Sequence, residues 1–352
     1  MSDRVVVLQN AVVCPPDESG RCGVLDKDGA FVEFSLDHIR PRKAREAPDP
    51  ALLAEPLPEL PGRHLFAGPM HPHFGHFLLE STPRLWALDT EAVASVLYIP
   101  IGPKSYWRAR KAYAPFLEML CGSLPINRIS LPTRVAELVV PDPGFGHEAR
   151  MKGTDRYRAF TRGRVAAEIT PAGPEKLYIS RSGLNDNRGG IFGEAEIETV
   201  LAEDGYEIFH PQRHSQREQL ERYAAARKII GLDGSALHMA AYALHPEAHV
   251  AMIARRRSAI LPRLADQLRR FSGATVDVVD CLTACWVKEG GTRIDYASIG
   301  ELDMAALFRR LVELGFLRAG LPGVAEVAAG GPVLDLRGGP PPNMTRLAMG
   351  PA

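Results

Sequence analysis

The chain has 352 residues, 45% of them hydrophobic, which exceeds the size at which one core usually stops growing and predicts two domains. Lysine plus arginine and aspartate plus glutamate balance at 42 each, so no overall field draws the protein to nucleic acid, and binding charge must be local. Cys14, Cys22, Cys121, Cys281 and Cys285 form neither a C-x-x-C pair nor a zinc-like quartet, and no apolar run reaches the roughly 18 residues of a membrane span. These features predict a cytoplasmic protein with free thiols, and leave peripheral attachment to a membrane open.

Short strands are expected at 5–8 and 31–34, followed by a loop or wrapping segment where prolines crowd between Pro41 and Pro61. The stretch 76–88 has helical apolar spacing, with a kink or new first turn at Pro83. A strand at 96–101, a helix at 107–120 and a strand at 135–140 then make an α/β first domain. The run Thr170-Pro171-Ala172-Gly173-Pro174 reads as the interdomain linker. Beyond it strands at 176–180, 206–209, 228–232, 249–253 and 275–279 alternate with helices at 194–203, 215–227, 236–244 and 258–271. Repeated units of that kind predict a parallel sheet covered on both faces. Ser215 followed by Glu218 is a capping box, 304–316 is a last amphipathic helix, and the Gly/Pro-rich tail is expected to be irregular. The resulting division is 1–170, 171–320 and a tail of 321–352.

Three segments carry chemistry. After the 176–180 strand, Arg181-Ser182-Gly183-Leu184-Asn185-Asp186-Asn187-Arg188 brings two guanidinium forks onto a loop that can wrap a diphosphate; a solvated turn with salt-bridged arginines is the plain alternative. The segment Gly231-Leu232-Asp233-Gly234-Ser235 runs from a buried strand into a helix start, where free N–H groups make an anion site and Asp233 is placed to cap the helix. Ligands of open α/β sheets bind at such strand ends. In the first domain His71, His73, His76 and Glu80 fall within ten residues, and His76 and Glu80, four apart, share a helix face. The carboxylate can orient the imidazole as a general base. A metal site on these histidines is the rival, with a hydrogen-bonded helix-start histidine as the plain reading.

The succession of blocks resembles glycosyltransferase family 61. His76-Phe77-Leu78-Leu79-Glu80 with Pro83-Arg84-Leu85 is similar to its first motif, Tyr178-Ile179-Ser180-Arg181-Ser182 with Arg188 and Glu194 to its second, and Ile229-Ile230-Gly231 with Gly234-Ser235-Ala236-Leu237 to its third. The resemblance implies a GT-B fold of two Rossmann-like domains facing a cleft, and inverting, metal-independent transfer from a nucleotide sugar, usually a UDP sugar. It implies no separate cofactor. Arg181 and Arg188 would hold the diphosphate, Gly234 and Ser235 would offer it N–H groups, and His238 would meet the sugar or nucleotide unless it is a core histidine. His76 would be the base, with Glu80 nearly as good because a carboxylate in an apolar cleft has a raised pKa. The acceptor would be a hydroxyl of a glycan, a polysaccharide or a lipid-linked saccharide. Asp233 stands where family members typically have histidine, a negative charge beside the expected anion. A nucleotide-sugar epimerase, a non-catalytic glycan-binding protein and a metal hydrolase are the competing readings.

Overall fold

The computed structural model describes residues 3–36, 46–184, 188–324 and 343–349; Asn185, Asp186 and Asn187 of the arginine loop, part of the 41–61 stretch and most of the tail lie outside them. The chain divides into two compact units, Met1–Glu168 and Ile169–Ala352, both mixed α/β. Among the described residues no helix is long and apolar enough to cross a membrane.

The first unit is built on six strands, β1 (Val5–Cys14), β2 (Gly23–Leu25), β3 (Glu59–Met70), β4 (Ser95–Pro100), β5 (Ile126–Arg128) and β6 (Thr133–Pro141), in the order β2-β1-β6-β3-β4-β5. The run β6-β3-β4-β5 is parallel, whereas β1 is antiparallel to both β6 and β2. The expectation of two parallel sheets therefore holds for only part of this one. Leu65, Phe66, Val96, Leu97, Leu138 and Val139 are fully buried, as strands covered on both faces must be. Strand β3 was hidden by its prolines: Pro61 falls in a register irregularity between Leu60 and Arg63, the kind of position at which a strand tolerates a residue without an N–H. Around 31–34 there is no strand, only a bridge at Phe31 and a 3-10 turn at Glu33–Ser35.

Helical segments follow the strands. After β3 come α1 (Phe74–His76) and a wide π turn, Phe77–Ser81, which breaks ahead of Pro83. The helix expected at 107–120 is two, α2 (Ser105–Ala112) and α3 (Ala114–Cys121), because Pro115 lacks an N–H and is tolerated only in a first turn. Helix α4 (Asp155–Glu168) ends the unit.

The second unit has an all-parallel five-stranded sheet, β12-β11-β10-β7-β9, made of β7 (Lys176–Ile179), β9 (Glu207–Phe209), β10 (Lys228–Leu232), β11 (His249–Ile253) and β12 (Thr275–Val279). Helices α5 (Glu194–Glu203), α6 (Gln216–Ala225), α7 (Ser235–Ala240) and α8 (Ile260–Ser272) link these strands. The capping box at Ser215 and Glu218 starts α6. A four-stranded sheet that periodicity did not reveal, β15-β13-β14-β8, combines β8 (Gly190–Ile191), β13 (Leu282–Lys288), β14 (Ile299–Leu302) and β15 (Met344–Ala348). Helix α9 (Met304–Glu313) follows β14. The tail is thus not irregular throughout: residues 344–348 pair antiparallel with β13.

Candidate functional site

In the first unit the chain lays down β3, β4 and β5 in one direction and then places β6 on the other side of β3. That reversal is a topological switch point, where strand ends diverge and leave a crevice. His71 follows β3, His73 and His76 lie on the next turn, and His147 lies in the loop after β6. All three of His71, His76 and His147 converge on Glu80. His76 Nδ1 hydrogen-bonds Glu80 Oε1 across one helical turn, His147 Nε2 lies 2.8 Å from the same oxygen, and His71 Nε2 lies 2.7 Å from Oε2 at an angle too oblique for a good hydrogen bond.

The backbone holds this arrangement. The His71 N–H donates to Ser81 Oγ at 2.9 Å, Tyr98 Oη donates to the Ser81 carbonyl at 2.7 Å, and Trp86 Nε1 donates to the Asp142 carbonyl at 3.0 Å. The first bond closes the 71–81 segment end to end, the second ties it to β4, and the third anchors the loop that carries His147. Arg84, buried as well, donates to the Phe34 carbonyl at 2.7 Å and serves the scaffold.

Glu80 is almost wholly buried. Burial pushes its carboxyl up, but contacts with His147, His71 and His76 outweigh that and hold it well below the usual carboxylate range. The expected raised pKa is thus reversed, because the cleft wall facing Glu80 is imidazole and not apolar. An ionised carboxylate only accepts, so His76 presents its Nδ1–H to Glu80, and the neutral form of the ring then has its lone pair on Nε2. Its side chain is also the most open of the three, 34% exposed against 24% for His147 and 10% for His71. Donor atoms of His71, His76 and Glu80 lie within 4.8 Å of one another, close enough to hold a metal ion. The 2.7 and 2.8 Å contacts are nevertheless shorter than the roughly 3.3 Å between neighbouring ligands of tetrahedral zinc, and the 2.8 Å one from His147 matches a hydrogen bond.

The second unit repeats the logic. Strand β9 lies on one side of β7, and β10, β11 and β12 lie on the other, so β7 and β10 flank the switch point. Arg181 follows β7 and Gly234 follows β10. A Cβ on Gly234 would come within 2.8 Å of Arg181 Nη1, so the missing side chain lets the guanidinium lie against the backbone. Glu194 fixes the arginine from below, its Oε1 accepting the Arg181 N–H at 2.7 Å and the Tyr178 hydroxyl at 3.1 Å. Burial pushes the Glu194 carboxyl up to about 7, against the pull of these donors. Arg181 Nη2 donates to the Arg188 carbonyl at 2.6 Å. Arg188 therefore supplies main chain to the first arginine, and its own side chain is exposed.

Asp233 does not cap α7. The N-cap residue is Gly234, with no side-chain bond, and α7 itself is only six residues long, shorter than the 236–244 expected, so little dipole develops there. Asp233 instead faces the arginines that follow β11. Its Oδ1 accepts the Arg255 N–H at 2.9 Å, and its carboxylate lies 3.6 Å from Arg255 Nε and 3.8 Å from Arg256 Nε. Arg255 Nε also donates to the Asp233 carbonyl at 2.9 Å, and Nη1 to Tyr296 at 3.1 Å. Gly189, at φ +63, lies so close to this guanidinium that a Cβ would sit 2.5 Å from Nη1. Among the described residues, Nε of Arg181 and Nε of Arg256 are buried without a hydrogen-bond partner. A charged fork with an unused N–H can receive an anion oxygen. His238 is turned inward, its Nδ1 against Gln267 of α8, and Ser235 is half-buried at the start of α7.

Sequence reasoning missed His147, Arg255 and Arg256. Each lies just past the carboxyl end of a strand that periodicity did find, and that position was the available signal. No curated protein matches the chain. Residues 74–251, about half of the 352 and inclusive of His76, Glu80, Arg181 and Asp233, match the family described as Glycosyltransferase 61, and the chain belongs to that glycosyltransferase family.

Proposed function

We propose that the protein transfers a hexose or pentose from a nucleotide sugar, most simply a UDP sugar, to a hydroxyl of a glycan, polysaccharide or lipid-linked acceptor, with inversion and without a metal. The observation that carries the reading is the meeting of Arg181 and Gly234 at the β7/β10 switch point, beside Arg256. There the diphosphate would lie against the backbone at Gly234 and accept from Arg181 and Arg256, with Ser235 next to it. Asp233 orients the arginines in this scheme and does not touch the donor.

Transfer then needs a base. His76 Nε2 takes the acceptor proton while Glu80 holds Nδ1–H and stabilises the imidazolium that forms. The acceptor oxygen attacks the anomeric carbon from the face opposite the leaving group, the bond to the diphosphate oxygen breaks, and its negative charge passes to the guanidinium groups. Fixed arginine charge takes the part that a divalent cation plays elsewhere. The GT-B arrangement is the architecture this reading assumes, and the five free thiols support a cytoplasmic setting.

Calorimetry of the full chain with UDP tests the donor site, and thermal shift against a panel of nucleotide sugars finds the donor, since a bound ligand stabilises by mass action. Absence of UDP binding at millimolar concentration would sink the enzyme reading in favour of a glycan-binding protein. Epimerised donor in the absence of any acceptor would point to an epimerase.

A further inference from the structure

Helix α2 carries a surface that the transfer chemistry does not use. Lys104, at its N-cap, and Trp107, Arg108 and Lys111 are all exposed, whereas Ser105, Tyr106, Ala109 and the following Tyr113 are buried. The exposed set is spaced i, i+3, i+4, i+7, so it forms one stripe along the helix. Trp107 is 60% exposed, and its ring stands edge-on to Tyr106 with centroids 5.0 Å apart. No acidic residue occurs between Glu91 and Glu118, while Lys104, Arg108, Arg110 and Lys111 all do. Lys104, Arg108 and Lys111 make no ion pair among the described residues.

A basic residue in the last turn of a helix is accounted for by the helix dipole, which covers Arg110 and Lys111. The same dipole disfavours Lys104 at the opposite end, and it says nothing about an indole held in water. Cations flanking an exposed tryptophan are the chemistry of a bilayer interface: the indole sits at headgroup level and the cations meet anionic lipid. We infer that the α2 face, Lys104, Trp107, Arg108 and Lys111, docks the protein on the surface of an anionic lipid bilayer. The chain's net charge is zero, so attraction to such a surface comes from this stripe and not from a global field.

The stripe is coupled to the histidine cluster. Tyr113, between α2 and α3, donates from its hydroxyl to the Pro72 carbonyl at 2.8 Å, and its ring stacks on Phe77 at 4.3 Å. Docking at α2 thereby holds the segment that carries His76 near the membrane, which suits an acceptor whose sugar is attached to a lipid. The surface itself stands without the transferase reading, and its test needs no turnover.

The full-length protein is sedimented with vesicles of phosphatidylcholine alone and of phosphatidylcholine containing about a third phosphatidylglycerol, at low and high salt. Binding is expected to the anionic vesicles only and to fall with salt, and the indole emission is expected to shift to the blue in the wild type but not in Trp107→Phe. Arg108→Ser with Lys111→Ser should weaken partitioning about 30-fold, about fivefold for each basic side chain removed. Unchanged partitioning by that variant, equal binding to neutral vesicles, or no binding at low salt overturns the inference. So does a dimer in solution that Trp107→Phe dissociates while vesicle binding stays absent. The wild-type emission shift reads the docking directly, whether or not a variant folds.

Discussion

Replacing Asp233 by asparagine separates two accounts of a buried negative charge beside an anion site. If the carboxylate merely repels a diphosphate, its loss costs the fold nothing. The geometry predicts otherwise. Asparagine retains an oxygen for the Arg255 N–H, now at 2.9 Å, but removes the charge that faces Arg255 at 3.6 Å and Arg256 at 3.8 Å. At an effective dielectric of about 20, each such pair is worth roughly 4 to 5 kcal/mol before desolvation is subtracted. Breaking a buried pair on one side leaves the other charge uncompensated, at a cost of about 3 to 5 kcal/mol. Burial already pulls the Arg255 guanidinium down to about 10, with Asp233 opposing that pull. For a unit of this size the loss corresponds to a fall in Tm of roughly 6 to 20 °C. Scanning calorimetry of wild type, Asp233→Asn, Arg255→Met and the double variant reads both the loss and the coupling, expected at about 1 to 3 kcal/mol. Stability of Asp233→Asn within about 0.5 kcal/mol of wild type would refute the argument.

Arg181→Ala should weaken UDP binding by about 1.5 to 3 kcal/mol, measured by calorimetry, because the lost bonds are charge-assisted. His76→Ala should keep UDP affinity and lower kcat by about 100-fold or more, and transfer at the wild-type rate removes the base assignment. Glu194→Gln should change the pH dependence of stability. A carboxyl raised from 4.5 to about 7 contributes fully below pH 4.5, and that contribution, about 3 kcal/mol, is lost as pH rises through 7. The glutamine variant keeps the Arg181 and Tyr178 bonds and should lose less stability than wild type between pH 5 and 8 in urea titrations; identical slopes would count against a buried neutral Glu194.

Much of the second unit was legible because its strands are short buried runs: 228–232 and 249–253 appear at the expected bounds. Strand β3 was not, since its prolines read as breakers until the register irregularity at Pro61 is seen. The sheet containing β13, β14 and β15 depends on pairing between residues some sixty positions apart, such as Trp286 and Arg346, and no local period reports that. The site shows the same division. His76 and Glu80 are four apart and their partnership follows from helix geometry, whereas His147 is 67 residues from Glu80 and Arg255 is 22 from Asp233. Matching to the family ends at residue 251, just short of both partner arginines. What a local reading finds is the strand end; which side chains meet there is decided by strand order.

Strand β15 gives the chain's last described stretch a protective task. It forms one edge of its sheet, with Arg346 clasping Glu301 at 2.7 and 2.8 Å. A shortened chain ending at residue 324 would leave Leu282–Lys288 with a row of vacant amide and carbonyl groups beside buried Leu282, Cys285 and Val287. Such an apolar open edge recruits a strand from another molecule. Residues 344–348, within a tail that composition marks as irregular, are therefore what keeps one copy from zipping onto the next.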